Sequence, residues 1–92
     1  MQQESAEKIA IDTLAWLAAD PDLFGVFLGA TGASVADVRA QAGNPQFLAG
    51  VLDFVMMDDA WVIRCCDAQD MRYETLAQAR AALPGGDLPN WT

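Results

Sequence analysis

The chain has 92 residues, enough for one domain, and 53% of them are hydrophobic, a fraction that excludes intrinsic disorder. Thirteen acidic residues outweigh five basic ones, so the formal net charge at pH 7 is −8. Because basic surfaces drive binding to nucleic acids and to anionic membranes, the composition predicts neither as a direct partner.

The first predicted helix runs from a capping Ser5 to about residue 19. Its apolar face carries residues at helical spacing: Ile9, Thr13, Trp16 and Leu17, flanked by Ala10 and Leu14. Asp20 and Pro21 predict the start of a second helix, because aspartate caps helices and proline is tolerated at the first helical position. Gly29 and Gly32 predict its end, since glycine adopts the left-handed conformation that closes a helix.

Two further helices follow in the middle of the chain. Ser34 and Asp37 resemble a capping box and predict a short third helix, which Gly43 ends. Asn44 and Pro45 repeat the pattern of cap and proline and begin a fourth helix. The apolar residues of this helix fill more than half of its circumference, which is typical of the central helix of a bundle: Phe47, Leu48, Val51, Leu52, Phe54 and Val55.

The last third of the chain predicts two more helices. Asp58 and Asp59 begin the fifth helix, and residues 67–70 form a loop. The apolar positions of the fifth and sixth helices are Trp61, Val62, Cys65 and Cys66, then Tyr73, Leu76, Ala79 and Leu83. Pro84, followed by two glycines, ends the sixth helix. We therefore predict an all-α fold, a compact bundle of about five to six short helices over residues 1–86, followed by a tail at 87–92.

The two halves of the sequence align with each other at an offset of 38 residues. Leu14 then falls on Leu52, and the helix-breaking Asp20 falls on Asp58. Either amphipathic helices of similar length coincide by chance, or the fold consists of two pseudo-repeated halves of three helices each. If the repeat is real, neither half buries its own apolar face, and the two must pack together.

The chain also lacks the patterns of a targeting signal or a membrane span. A secretory signal needs a basic start followed by an apolar run, whereas residues 1–8 are polar and carry two glutamates. The longest apolar stretch covers about eleven residues at 47–57, and a membrane span needs about 20. We therefore expect a cytoplasmic protein.

The residues that usually carry catalysis or bind metal ions are scarce. The sequence contains no histidine, the commonest general base and metal ligand. Cys65 and Cys66 are adjacent and fall on an apolar helix face, which favours core packing. The acidic clusters lie where helices begin and lack the spacing of a calcium loop, so capping explains them. We expect no metal site, no cofactor and no enzymatic activity.

Two features are candidates for contact with a partner. On a helical wheel, Asp53 groups with Ala49, Gly50 and Met57, opposite the apolar face of the fourth helix. This strip is either a solvent-facing surface or a contact surface, where small residues admit a second helix and methionine adapts to its partner. Trp91 lies in the polar tail; it either folds back onto the bundle or acts as a docking peptide.

Several runs of residues resemble one known family. They are LAADP at 17–21, FLGATG at 27–32, VRAQAGNP at 38–45, FLA at 47–49, VLDF at 51–54 and ARAALPGG at 79–86. The chain is similar over nearly its whole length to the short alphaproteobacterial proteins of the domain of unknown function 3572 family. The resemblance implies a small helical cytoplasmic protein and transfers no activity or catalytic residue. Arg64, Cys65 and Cys66 depart from the aliphatic residues and alanines expected there.

The sequence thus favours function by contact over function by chemistry. The first hypothesis is a non-enzymatic interaction or accessory domain whose partner is another protein or a second copy of the chain. The alternative is a small-ligand binder, with an apolar cavity lined by Trp16, Phe24, Phe27, Phe47 and Trp61.

Overall fold

The computed structural model describes residues 1–85 and has six α-helices in that range. They are α1 (Gln3–Ala18), α2 (Pro21–Thr31), α3 (Val35–Gln41), α4 (Pro45–Val55), α5 (Asp59–Ala68) and α6 (Glu74–Ala81). The predicted all-α fold is confirmed. Trp91 and the rest of the predicted tail lie outside the described residues.

The polar residues between helices cap them as predicted. Asp20 Oδ1 accepts a hydrogen bond from the backbone N–H of Leu23 at 3.2 Å, at the start of α2. Asn44 and Asp58 cap α4 and α5 in the same way, at 2.9 and 2.8 Å. The capping box of α3 is complete, because the Ser34 and Asp37 side chains each accept from the other's backbone N–H. These bonds satisfy donors that the first turn leaves unpaired.

Two predicted helix ends near the start of the chain are wrong. Ser5 lies inside α1, which begins at Gln3, because nothing in residues 3–5 disfavours a helix and Glu4 stabilises its positive end. Gly29 lies inside α2. The helix continues to Thr31 because Gly32, at φ +75°, supplies the left-handed residue that closes it.

The predicted loop at 67–70 is too long, since α5 continues through Ala68. Asp70 adopts the left-handed conformation, with φ +53°. The N–H of Met71 donates to Cys66 O at 3.0 Å, and the N–H of Asp70 donates to Asp67 O at 3.3 Å. This pair of bonds is a Schellman motif, which glycine usually closes and which aspartate tolerates. Tyr73, predicted to belong to the sixth helix, precedes α6 and is exposed.

The core lies around α1 and α4, which pack against each other. The α1 helix also contacts α2, α5 and α6, so it shares the central position that was predicted for α4. Leu17 of α1 and Val55 of α4 are fully buried. The Cα radius of gyration is 12.4 Å, close to the roughly 12 Å expected of one folded domain of this length.

The offset of 38 residues relates the helices as well as the sequence. α2 and α5 begin at Pro21 and Asp59, each after a capping aspartate. Six pairs of residues at this offset are buried at both positions: Ala10 and Leu48, Thr13 and Val51, Leu14 and Leu52, Leu17 and Val55, Phe27 and Cys65, and Val38 and Leu76. The order of the helices and their burial therefore repeat, as expected of two three-helix halves that share one core.

No single helix in residues 1–85 is long and apolar enough to cross a membrane. Taken together, α2 and α3 have the length and composition of a span bent by 82°.

Candidate functional site

An open groove lies where the end of α2, the start of α3 and the first turns of α4 meet. We call it the α2–α4 groove; its volume is about 460 Å³. It is lined by Phe27, Thr31, Gly32, Ala33, Asp37, Gln41, Gln46, Phe47 and Gly50. The caps described above position these residues, because they fix where α3 and α4 begin.

The floor of the groove is aromatic. Phe27 is 1% exposed and packs edge-on against Phe47 and Phe54, with ring centroids 6.2 and 5.2 Å apart. Phe47 is half-buried and therefore presents part of its ring to the groove. Edge-to-face rings are a favourable arrangement, so the contact with Phe27 helps to hold the Phe47 ring at the floor.

The rim of the groove is polar. Asp37, Gln41 and Gln46 are exposed along it, and no basic side chain of the described residues lines it. The Thr31 hydroxyl donates to Phe27 O at 2.9 Å, which leaves its oxygen to accept the N–H of Ala33 at 3.3 Å. An aromatic floor with a polar rim is typical of sites that hold an apolar side chain of a partner.

Gly50 is the predicted contact residue that the structure places in this groove. It is exposed, and a Cβ built on it meets no atom within 4 Å. The wall formed by α4 is therefore open at this position.

The other three residues of the predicted strip do not join Gly50 in one surface. Ala49 is 3% exposed and belongs to the core, so its prediction as a contact residue is wrong. The helical wheel treated α4 as covered on one side, whereas both α1 and α6 pack against it. Met57 is 76% exposed and lies beyond the end of α4.

Asp53 has a partner that the sequence did not indicate. Its Oδ1 lies 2.6 Å from Nε of Arg80, a residue of α6 whose side chain is mostly buried. Nη1 of Arg80 also donates to the backbone oxygen of Pro84, at 3.2 Å. Arg80 thus joins α4 to the turn after α6, and Asp53 is part of the scaffold. The 27 residues between them leave no local signal for this pair.

A buried polar cluster joins α1 to α5. Thr13 is fully buried, and its hydroxyl oxygen accepts from the Cys65 thiol at 3.8 Å and from Nε2 of Gln69 at 3.4 Å. The same Gln69 nitrogen donates to Cys65 Sγ at 3.0 Å. Sequence reasoning placed Thr13 on the apolar face but missed the cluster, because it depends on the packing of α5 against α1.

Both cysteines are fully buried and unbridged, which confirms their prediction as core residues. Burial raises the pKa of the Cys65 thiol, and its hydrogen bonds with Thr13 and Gln69 offset this only in part. Burial also raises the pKa of Cys66, reinforced by Cys65 and by the carboxylates of Asp67 and Glu74. Both thiols therefore stay protonated at neutral pH, and a thiolate nucleophile is disfavoured.

The two cysteines should respond differently to the same substitution. Cys65→Ser places a hydroxyl between Thr13 and Gln69, and we expect it to lower the free energy of unfolding by less than about 1 kcal/mol. Cys66 makes no side-chain hydrogen bond within residues 1–85, so Cys66→Ser should cost about 1–3 kcal/mol. Urea denaturation of the two variants measures the difference. Equal losses would show that the Thr13 cluster does not accommodate a hydroxyl.

Elsewhere on the surface, a shallower depression of about 300 Å³ lies between α2 and α5. It contains Leu23, Val26 and Trp61 among the charged residues Asp20, Asp22 and Arg64. Trp61 stacks on Phe54 at 4.9 Å and thereby helps to fill the core. Within residues 1–85, no three histidine, cysteine or acidic residues are grouped to hold a metal ion.

The predicted ligand-binding aromatics are distributed through the fold. Phe27 and Phe47 meet in the α2–α4 groove, whereas Trp61 lies at the depression between α2 and α5. Trp16 and Phe24 pack half-buried against the core. The five therefore do not surround one cavity.

Over the residues that the structure describes, the chain is therefore a six-helix domain with an aromatic groove on its surface. The chain belongs to the DUF3572 family, since the model of that family matches residues 3–86. Its description, protein of unknown function, names no activity. Neither the curated proteins nor the solved structures contain a match to the chain.

Proposed function

We propose that the protein is a non-enzymatic interaction domain that holds a short segment of a partner protein in the α2–α4 groove. The observation that carries the proposal is the combination of a formed aromatic floor with an open wall at Gly50. Phe47 is half-buried, so part of its ring is exposed to water. A partner side chain that packs on this ring buries apolar surface, and such burial is the main favourable contribution to protein association.

The charge of the domain indicates the chemistry of the partner. The formal net charge is −8, and Asp37 stands on the rim of a groove that no basic side chain of the described residues lines. A partner segment that carries Lys or Arg beside a large apolar residue is therefore attracted, whereas an acidic segment is repelled. We assign the groove to such a cationic, apolar segment.

The same residues argue against chemistry in the groove. Among residues 1–85, Asp37 is the one ionisable residue that lines the groove, and its Oδ2 caps α3 by accepting the N–H of Ser34 at 2.9 Å. Acid–base catalysis commonly uses a pair of ionisable groups in separate roles, and one exposed carboxylate does not supply that pair. Contact is the function that these residues support.

The test uses a phage-displayed library of random 12-residue peptides, panned on the immobilised full chain. Enriched peptides are synthesised with fluorescein, and their dissociation constants are measured by fluorescence anisotropy against wild type and Gly50→Arg. The arginine fills the open wall and repels cations, so we expect binding about tenfold weaker or more, equivalent to about 1.4 kcal/mol.

The matched control is Gly25→Arg. Gly25 is also an exposed glycine inside a helix, has no atom within 4 Å of a built Cβ, and does not line the groove. Gly25→Arg should leave the affinity for the peptides within about twofold of wild type, because it adds the same charge at a position outside the groove. Enriched peptides without a basic residue, or equal affinity for wild type and Gly50→Arg, would contradict the proposal.

A further inference from the structure

We propose that the depression between α2 and α5 is the contact surface of a homodimer, in which α2 of each copy packs on α5 of the other. We call this surface the α2–α5 face; it consists of Asp20, Asp22, Leu23, Val26, Trp61 and Arg64. It shares no lining residue with the α2–α4 groove, so the inference is independent of the proposed function. Its apolar surface, its charges and its place in the repeat support a second copy as the partner.

The α2–α5 face exposes apolar surface on both helices. Val26 is 52% exposed, and Trp61 is only half-buried although its ring stacks on that of Phe54 at 4.9 Å. Residues 23–31 of α2 include no charged side chain, so this helix is apolar on its outer side as well as on its inner side. A helix that is apolar on all sides is usually covered on all sides. The outer side of α2 therefore has the composition of an interface.

The exposed charges of the α2–α5 face have opposite signs on its two helices. Asp20 is half-buried and caps α2, so the exposed charges are Asp22 on α2 and Arg64 on α5. Neither of these two forms an ion pair within residues 1–85. The face thus offers an acid on one side and a base on the other, although the whole chain has a formal net charge of −8. Such a surface is complementary to a second copy of itself.

Charge complementarity also selects the arrangement of the two copies. In a two-fold dimer every contact occurs twice, because a residue that touches another across the interface is touched by it in return. With α2 of one copy on α5 of the other, each Asp22 lies opposite an Arg64 and each Val26 lies opposite a Trp61. Packing α2 on α2 gives Asp22 no basic partner, since α2 contains no basic residue, and packing α5 on α5 leaves Val26 uncovered.

The α2–α5 face lies where equivalent helices of the two pseudo-repeated halves meet. Leu23 and Trp61 are related by the offset of 38 residues, and so are Val26 and Arg64. The halves differ at the second pair, since one has an apolar residue where the other has a base. This difference gives the two sides of the face complementary chemistry, which a second copy matches with the same two helices in reverse order.

The dimer should be reversible. The face covers only a few turns of two short helices, so it buries less than the roughly 1,600 Å² of a standard interface. Two copies with a net charge of −8 also repel each other. We therefore expect monomer and dimer to coexist at micromolar concentrations. At about 150 mM salt this repulsion is screened beyond about 8 Å, whereas direct contacts between side chains are largely kept.

The test is sedimentation equilibrium of the full chain at that salt concentration, from about 5 to about 500 µM protein, which measures the dissociation constant of the dimer. Asp22→Arg places two arginines opposite each other at both contacts, and Arg64→Asp places two aspartates there. We expect each variant alone to dimerise about tenfold more weakly or worse. An equimolar mixture of the two variants should recover the wild-type affinity, because both contacts of the mixed dimer then join an acid to a base.

The matched controls are Glu4→Arg and Arg39→Asp. Glu4 is an exposed acid in the first turn of its helix, as Asp22 is, and Arg39 is an exposed arginine, as Arg64 is; neither control residue lines the depression. Each control changes the net charge as much as its counterpart does and should leave the dissociation constant within about twofold of wild type. Circular dichroism checks that all four variants are folded.

Three results would overturn the inference. The first is a wild-type chain that stays monomeric up to about 500 µM. The second is a dimer whose affinity is the same in wild type, Asp22→Arg and Arg64→Asp. The third is an effect of net charge alone, in which Asp22→Arg strengthens the dimer and Arg64→Asp weakens it, with the controls following in parallel. Peptide binding in the α2–α4 groove is measured separately, so the proposed function stands or fails on its own.

Discussion

Phe27→Ala should lower the free energy of unfolding by about 3–5 kcal/mol, as expected for removal of a fully buried phenyl ring. Phe27 is 1% exposed, and its ring lies between 5.2 and 6.2 Å, centroid to centroid, from those of Phe24, Phe47 and Phe54. A small domain has about 5–15 kcal/mol of stability in all, so this one ring accounts for a large fraction. Thermal and urea denaturation followed by circular dichroism measure the loss.

The control for this prediction is Phe24→Ala. Phe24 stacks on Phe27 at 6.1 Å but is only half-buried, so its removal exposes less new apolar surface to water. We expect about 1–2 kcal/mol. If Phe24→Ala were as costly as Phe27→Ala, the difference in burial between the two rings would not determine their contributions to stability.

Ala49→Arg and Gly50→Arg should have opposite effects although the two residues are neighbours on α4. Ala49 is 3% exposed, so an arginine there places a charge and a long side chain in the core. An uncompensated buried charge costs about 3–5 kcal/mol, and overpacking adds about 1–3 kcal/mol, enough to unfold most of the protein. Circular dichroism at 25 °C measures the remaining helix content.

Gly50→Arg should keep the fold and raise the free energy of unfolding by up to about 1 kcal/mol. Glycine inside a helix is less stable than a residue with a side chain, and a Cβ at position 50 meets no neighbour within 4 Å. A folded Ala49→Arg, or an unfolded Gly50→Arg, would reverse the assignment of the two residues to core and surface.

Local chemistry allowed most helix starts to be predicted from the sequence. Asp20, Ser34, Asn44 and Asp58 each cap a helix through a hydrogen bond within three residues, so the signal and the structure lie in the same short segment. The C-terminal ends of the helices were predicted less accurately. A single left-handed residue closes a helix, and the sequence does not say whether that residue is Gly29 or Gly32.

Features that depend on packing between distant segments were not predictable in the same way. Ala49 appeared exposed because a wheel drawn for one helix does not show α6 on its other side. The Asp53–Arg80 ion pair spans 27 residues, and the Thr13–Cys65 contact spans 52. Nothing in the neighbouring sequence of these residues indicates their partners.

The candidate site was predicted only in part, through Gly50. Small size and exposure on α4 are local properties, and a helical wheel identifies them. The groove itself requires Phe27 of α2 and Asp37 of α3 to lie beside Phe47 and Gly50 of α4. That arrangement depends on the caps that begin α3 and α4, at Ser34 and Asn44, and on the left-handed Gly32 that ends α2.

The most direct test of the interaction proposal is a set of intermolecular nuclear Overhauser effects between a panned peptide and the ¹³C-labelled full chain. The proposal predicts contacts from the peptide's large apolar side chain to the ring of Phe47 and to Hα of Gly50. It also predicts that the peptide's basic residue lies near Asp37 on the rim. Contacts only to Val26 and Trp61, in the depression between α2 and α5, would contradict the assignment of the α2–α4 groove as the binding site.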